Sequence, residues 1–158
     1  MPYGAHSTSI PVSGMQLEVI VSGLPDEDID SAPALRLTEP ISFWGGISPL
    51  TGTLTDPRCR NHNQPVRGTA LLISELRGSS SGSSVLLELI FRGLAPAAII
   101  LDSPDAIVAL GAIVGREMGW VSPPILRLPA AEQGLIADGS LVSITKEGEL
   151  TIHCQGVR

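Results

Sequence analysis

The polar stretch Arg77-Gly78-Ser79-Ser80-Ser81-Gly82-Ser83-Ser84 separates two apolar runs, Leu71-Leu72-Ile73 and Val85-Leu86-Leu87, and limits the fold more than any other part of the chain. A buried strand must end, turn tightly and restart as a helix within those few residues. Such a loop aims unpaired backbone N–H groups and several hydroxyls at one spot, at the positive end of a helix dipole, where an anion or a developing oxyanion is stabilised. A flexible Ser/Gly linker is the blandest alternative, but the apolar runs on either side demand burial. A helix start needs one capping hydroxyl. The surplus of serines points to a site.

The rest of the chain places that loop in an α/β context. Met15 to Val21 and Ala34 to Leu37 read as strands on either side of the acidic turn Asp26-Glu27-Asp28. Trp44 to Gly68 is rich in Gly, Pro, Asn and Thr and reads as a long loop, a candidate contact surface. Thr69 to Ser74 is a buried strand. Val85, Leu86, Leu89 and Ile90 then recur at helical spacing until Gly93. Ala97 to Leu101 is the next strand, and Ser103-Pro104 supplies an N-cap and a first-position proline for an apolar helix that Gly119 ends. Ile125 to Leu128 is extended, and Leu141 to Ile144 with Leu150 to His153 form a hairpin around Lys146-Glu147-Gly148. The expectation is a mixed α/β fold, with end strands enclosing a β-loop-α-β-α centre.

Composition narrows the function classes. At 158 residues one domain is expected, over residues 15–158, with residues 1–14 as a flexible lead-in. The absence of an apolar run of about 18 residues argues against a membrane span, and the lead-in lacks a secretory pattern, so a cytoplasmic protein is expected. A net charge of -6 and 3% aromatic residues argue against nucleic acid. Cys59 and Cys154 are far apart, without metal-knuckle spacing, and no metal site is expected.

Several chemistries could use the serine loop. Gly78-Ser79-Ser80-Ser81-Gly82 has the G-x-S-x-G form of a nucleophile elbow, but His153 is the one later histidine available to complete a triad, and it sits in a terminal strand. A phosphate loop of the Walker type needs a lysine, and a phosphohistidine carrier needs a histidine; the loop has neither. Proton abstraction by serine needs its alkoxide held by N–H donors and a nearby cation, which a helix start and Arg77 could supply.

The order of motifs then carries a resemblance. Ile41-Ser42-Phe43-Trp44-Gly45-Gly46, then Asp56 and Arg58, then Gly78-Ser79-Ser80-Ser81-Gly82-Ser83 with Leu86-Leu87-Glu88-Leu89, then Ala95-Pro96-Ala97-Ala98-Ile99 and Ala109-Leu110-Gly111-Ala112-Ile113 resembles the small subunit, or swivelling domain, of the aconitase X family. The likeness covers roughly Leu35 to Ile152. It implies the swivelling β/β/α domain of the aconitase superfamily. It implies Ser79 as the catalytic base, with Arg77, Gly78, Ser80 and Ser81 around the substrate. The position of Ser81 is often an arginine in that superfamily, so carboxylate binding must come from elsewhere. Where the family often has a Pro-Gly-Gly-like stretch before the arginine, this chain has Ser74-Glu75-Leu76, and a carboxylate turned inward there weakens anion binding.

The resemblance also implies a large-subunit partner carrying an iron–sulfur cluster, which two cysteines here cannot ligate, and an active site closed by heterodimer formation. The implied reaction is dehydration of a small hydroxy acid: cis-3-hydroxy-L-proline to Δ1-pyrroline-2-carboxylate in bacterial members, mevalonate 5-phosphate in archaeal ones. Trp44 and the triple serine look more like the bacterial branch. Trp44 reads either as an anchor at the partner interface or as a wall of the substrate pocket, beside Gly45 and Gly46, which let backbone approach closely. Arg58, Arg60 and Arg67 read as loop charges, one of which could meet a substrate anion. A non-catalytic regulatory domain of the same fold is the alternative from another class.

Overall fold

The computed structural model describes residues 11–153. Four parallel strands form its centre: β3 (Ile29–Leu37), β5 (Ala70–Ile73), β7 (Ala98–Leu101) and β8 (Ile125–Arg127). The helices α2 (Ser81–Phe91) and α3 (Ala106–Glu117) make the crossovers β5-α2-β7 and β7-α3-β8. The C-terminal hairpin of β9 (Leu141–Ile144) and β10 (Glu149–His153) joins antiparallel to β3, β1 (Pro11–Gln16) pairs with β10, and β2 (Glu18–Val21) pairs with β8. The order is β1-β10-β9-β3-β5-β7-β8-β2. Its two edges, β1 and β2, are joined through Leu17 alone, so the sheet curls until its edges approach each other.

Alternation along the strands builds two apolar layers. Leu71 and Ile73 of β5, with Ile99 and Leu101 of β7, face the cluster that includes Val85, Leu86, Leu89 and Ile90 of α2 and Val108 and Ala112 of α3. Ala70, Leu72, Ala98 and Ile100 face the other way, into a layer with Leu17, Leu126, Ile136 and Leu150. Both faces of the central strands are therefore covered, which is why they read as continuous apolar runs rather than alternating ones. The helices approach closely at Gly111, where a Cβ would lie 2.9 Å from the Ser83 carbonyl oxygen and 3.3 Å from the Leu86 side chain.

Several expectations need correction. The strand expected over Met15 to Val21 is two strands, because the chain turns at buried Leu17 from one sheet edge to the other. Pro11 to Gly14, expected in a flexible lead-in, belong to β1 and pair with β10; residues 1–10 of that lead-in, and Cys154, lie outside the described residues. The cap of α3 is Asp105, not Ser103: its Oδ1 accepts from the N–H groups of Ile107 at 3.0 Å and Val108 at 2.9 Å. A charged acceptor two residues closer to the apolar run outcompetes the hydroxyl. The segment after Trp44 is not a loose loop. Ile47, Leu54, Cys59 and Val66 are buried in the helix-side layer, and bridges Ile47–Leu54 and Thr53–Pro65 tie it to itself. A short helix, α4 (Ala130–Gln133), was not foreseen.

Candidate active site

The serine loop and Trp44 to Gly46 follow the C-terminal ends of the parallel strands β5 and β3, where open α/β sheets place their ligands. From β5 the chain continues through Ser74, whose hydroxyl donates to the Leu37 carbonyl at 3.2 Å. It then forms the two-residue strand β6 (Leu76–Arg77), parallel to β4 (Ile41–Ser42). The Ile41 N–H donates to the Glu75 carbonyl at 3.1 Å, so this approach to the serines is fixed by backbone on both sides.

Gly78 follows at φ +124, in a region that L side chains avoid, and a Cβ there would collide with the Ser42 Oγ. No other residue makes this bend without strain. Ser79 comes next, exposed, with its Oγ 3.4 Å from the Ser81 N–H that donates to it. Ser80 occupies the N-cap of α2 in helical geometry, and its side chain makes no capping bond. Its carbonyl accepts from the Ser83 hydroxyl at 2.8 Å. Gly82 is buried, and a Cβ there would sit 3.6 Å from that of Phe43.

Two hollows meet at this loop. A small cleft is lined by Phe43, Arg77, Gly78, Ser79, Gly82 and Asp105 among others. A wider hollow of about 430 Å³ is bounded by Glu39, Ser42, Trp44, Gly45, Gly46, Asp56, Arg58 and Arg77. Arg77 is the wall they share. The structure thus brings Trp44, Gly45 and Gly46 together with Arg77, and Gly78 and Ser79 with Arg77, while Ser80 and Ser81 border neither hollow. Trp44 sits in α1 (Phe43–Gly46), a single kinked turn, with 65% of its surface exposed.

Both arginines at the wider hollow have carboxylate partners. Arg58 grips Asp56 in two-point fashion, Nε to Oδ1 at 3.1 Å and Nη2 to Oδ2 at 2.9 Å. The hydrogen bond from the Arg58 side chain, ahead of that from its backbone, holds the Asp56 carboxyl below its ordinary value. Arg77 Nε donates to Glu75 Oε1 at 2.8 Å. At Glu39 partial desolvation pushes the carboxyl up, but the N–H groups of Glu39 itself and Arg60 and the Thr38 hydroxyl together outweigh it and leave it lowered. Arg60 and Arg67 do not border the hollow.

A profile of the aconitase X swivel domain matches residues 24–152. The chain belongs to the aconitase X swivel-domain family. It is 44% identical over 108 residues to cis-3-hydroxy-L-proline dehydratase of Pseudomonas aeruginosa, an alignment covering 64% of this chain and 19% of that protein. It is 36% identical over 120 residues to the phosphomevalonate dehydratase small subunit of Methanothermobacter thermautotrophicus, covering 75% of this chain and 87% of that one. Among solved structures it superposes on aconitase X of Thermococcus kodakaraensis, holo-form, with TM-score 0.75 and 27% identity over 89% of this chain and 98% of that one. The chain therefore spans about a fifth of the length of the Pseudomonas relative.

Large subunits of the aconitase X family are generally iron–sulfur proteins, and the described residues of this chain do not fit a cluster. Cys59 is buried, desolvation pushes its thiol up, and no second cysteine lies among the described residues. Nor do three His, Cys, Asp or Glu side chains gather into a metal-binding group among them. No helix among them is long and apolar enough to cross a membrane. Sequence reasoning missed Glu39 and Asp105 as neighbours of the loop; the Asp two residues before the apolar Ile107-Val108 was the available signal for the latter.

Proposed function

We propose that this chain is the small subunit of an aconitase X type dehydratase, supplying Ser79 as the base that removes the substrate's C–H proton. The observation that carries the reading is the position of Ser79: on a glycine-enforced bend, at the start of an eleven-residue helix, two residues after the arginine shared by both hollows. Helix-start N–H groups and a guanidinium lower the cost of an alkoxide, and the Ser81 N–H already points at the Ser79 Oγ.

The substrate that fits best is cis-3-hydroxy-L-proline. Its C2 proton passes to the Ser79 Oγ while the C3 hydroxyl departs, leaving an enamine that tautomerises to Δ1-pyrroline-2-carboxylate. The substrate is a zwitterion, and the wider hollow is balanced in charge, with Glu39 and Asp56 against Arg58 and Arg77. The Pseudomonas relative, named for this reaction, supports the choice. The large subunit closes the cleft over Trp44, Gly45 and Gly46 in a heterodimer. An iron–sulfur cluster on that partner would serve as the Lewis acid for the departing hydroxyl. In this chain Arg77 orients the carboxylate, and Ser80 and Ser81 contribute hydroxyl and backbone contacts.

A second reading follows from the Methanothermobacter relative, whose name specifies phosphomevalonate. Reconstituting the chain with its large subunit and assaying both compounds decides between them. Turnover of cis-3-hydroxy-L-proline well above that of mevalonate 5-phosphate is expected, and the reverse overturns the amino-acid reading. Full turnover by the chain alone overturns the two-component reading.

A further inference from the structure

Glu75 and Arg77 flank Leu76 in an extended segment, so their side chains leave the backbone on the same side while Leu76 packs toward the helix-side core. Their backbones are fixed: the Glu75 carbonyl accepts from Ile41 N–H, and Arg77 pairs with Ser42. The 2.8 Å contact between Arg77 Nε and Glu75 Oε1 is thus set by the ladder rather than by chance meeting of two long side chains. The Nη groups of Arg77 make no hydrogen bond or ion pair among the described residues, and Arg77 lines both hollows. Side chains 66% and 53% exposed gain little stability from such a pair, so its consequence is electrostatic.

Arg77 borders both hollows, and with Glu75 their charged groups are two cations, Arg58 and Arg77, against four carboxylates, Glu39, Asp56, Glu75 and Asp105. A monocarboxylate zwitterion can take the Nη edge of Arg77 while its ammonium faces carboxylates. A dianion brings a second negative charge into the same field, where both cations already have a carboxylate partner, Arg58 in two-point contact with Asp56 and Arg77 with Glu75.

We infer that Glu75 is a specificity-determining residue, a charge filter that through its ion pair with Arg77 turns phosphorylated substrates away from the Ser79 loop. This rests on the dehydratase reading for the identity of the substrates, but the filter itself is measurable on the chain alone. The probe is inorganic phosphate, followed by NMR at the Arg77 Nε–H and the Gly78 and Ser79 amides.

Glu75→Gln should bind phosphate about fivefold tighter than the unmodified chain at low salt. The gain should shrink as ionic strength rises toward 0.3 M, where screening lengths fall to roughly 6 Å. A purely structural role would not show that salt dependence. Glu75→Asp should restore the original weak binding. Glu88→Gln makes the same charge change at the remote Arg92 pair on α2, 2.6 Å long, and should gain nothing. In an Arg77→Gln background, Glu75→Gln should also gain nothing. Should Glu75→Gln fail to fold, Glu75→Ala takes its place.

Equal phosphate binding with and without Glu75, an equal gain from Glu88→Gln, or a gain that survives loss of Arg77 overturns the inference. In the reconstituted enzyme, Glu75→Gln should lower KM for mevalonate 5-phosphate relative to cis-3-hydroxy-L-proline. If that enzyme turns over neither compound, the dehydratase reading fails while the phosphate result on the chain still stands or falls by itself.

Discussion

The two helices that start at the C-terminal edge of the sheet do so in opposite ways. At α3 a carboxylate closes the end: Asp105 Oδ1 accepts two N–H groups at 3.0 and 2.9 Å. At α2 the N-cap Ser80 makes no side-chain capping bond, and the hydroxyl that accepts from a first-turn N–H, Ser79 Oγ, sits 3.4 Å from its donor, Ser81. One helix start is satisfied within the chain. The other is held by turn contacts, Gly82 N–H to the Ser79 carbonyl at 3.1 Å and Ser83 N–H to the Ser80 carbonyl at 3.4 Å, with no side-chain cap from Ser80, and the two border the same small cleft. The difference marks the α2 start as the candidate for chemistry better than residue type does, since Ser occurs at both.

The largest expected effect is on catalysis. In the reconstituted enzyme Ser79→Ala should lower kcat by about 10²–10⁴-fold, the contribution typical of a positioned base. The Tm of the chain should barely move, because the hydroxyl makes one long contact. A variant that keeps most of its turnover, or a larger loss at Ser80, would move the base elsewhere and erase the contrast between the two helix starts. Next comes the bend that presents the serine. Gly78→Ala must place a side chain at φ +124 and against the Ser42 Oγ, at a cost of about 1–3 kcal/mol, visible in chemical denaturation. Because the strain can be relieved by moving Ser79, turnover should fall with it. Unchanged stability and turnover would show that the bend does not hold the serine.

The same contrast explains what could be read from the chain in advance. The central βαβ unit was legible because Leu71 to Ile73 and Ala98 to Leu101 are buried on both faces, and Val85, Leu86, Leu89 and Ile90 repeat at helical spacing. The serine loop was legible because its composition conflicts with the burial demanded on either side. The curl of the sheet was not, since nothing local in Met15 to Val21 marks Leu17 as the point where one edge strand ends and the opposite edge begins. The compactness of residues 47–68 was also hidden: its buried residues Ile47, Leu54 and Val66 are widely spaced, and their partners come from distant elements. The ion pairs of Arg58 and Arg77 are local, but which side of the backbone the Glu75–Arg77 pair occupies depends on the β4–β6 ladder, which no short-range pattern announces.

At α3 the expected effect is smaller and of a different kind. Asp105→Ala leaves two N–H groups without their acceptor and should cost about 1–2 kcal/mol. That corresponds to a fall in Tm of roughly 2–8 °C at about 2–4 °C per kcal/mol. Asp105→Asn and Asp105→Ser, which keep an acceptor, should recover most of the loss. Calorimetry that finds no loss in the alanine variant would mean that α3 does not depend on its cap, and the two helix starts would then be alike.

The smallest effect belongs to the matching position on α2. Ser80→Ala removes a hydroxyl that makes no capping bond, while the interaction that Ser80 does make, its carbonyl accepting from the Ser83 hydroxyl, is backbone and survives the change. Alanine is also a better helix residue than serine. Thermal stability should therefore stay within about 0.5 kcal/mol of the original, against the larger loss at Asp105. If the Ser80 hydroxyl contacts substrate, its removal should appear as a higher KM with kcat nearly intact, since an interaction shared by ground and transition states changes binding alone. A Ser80→Ala variant destabilised as much as Asp105→Ala would show that α2 is capped after all, and its open end could no longer be assigned to chemistry.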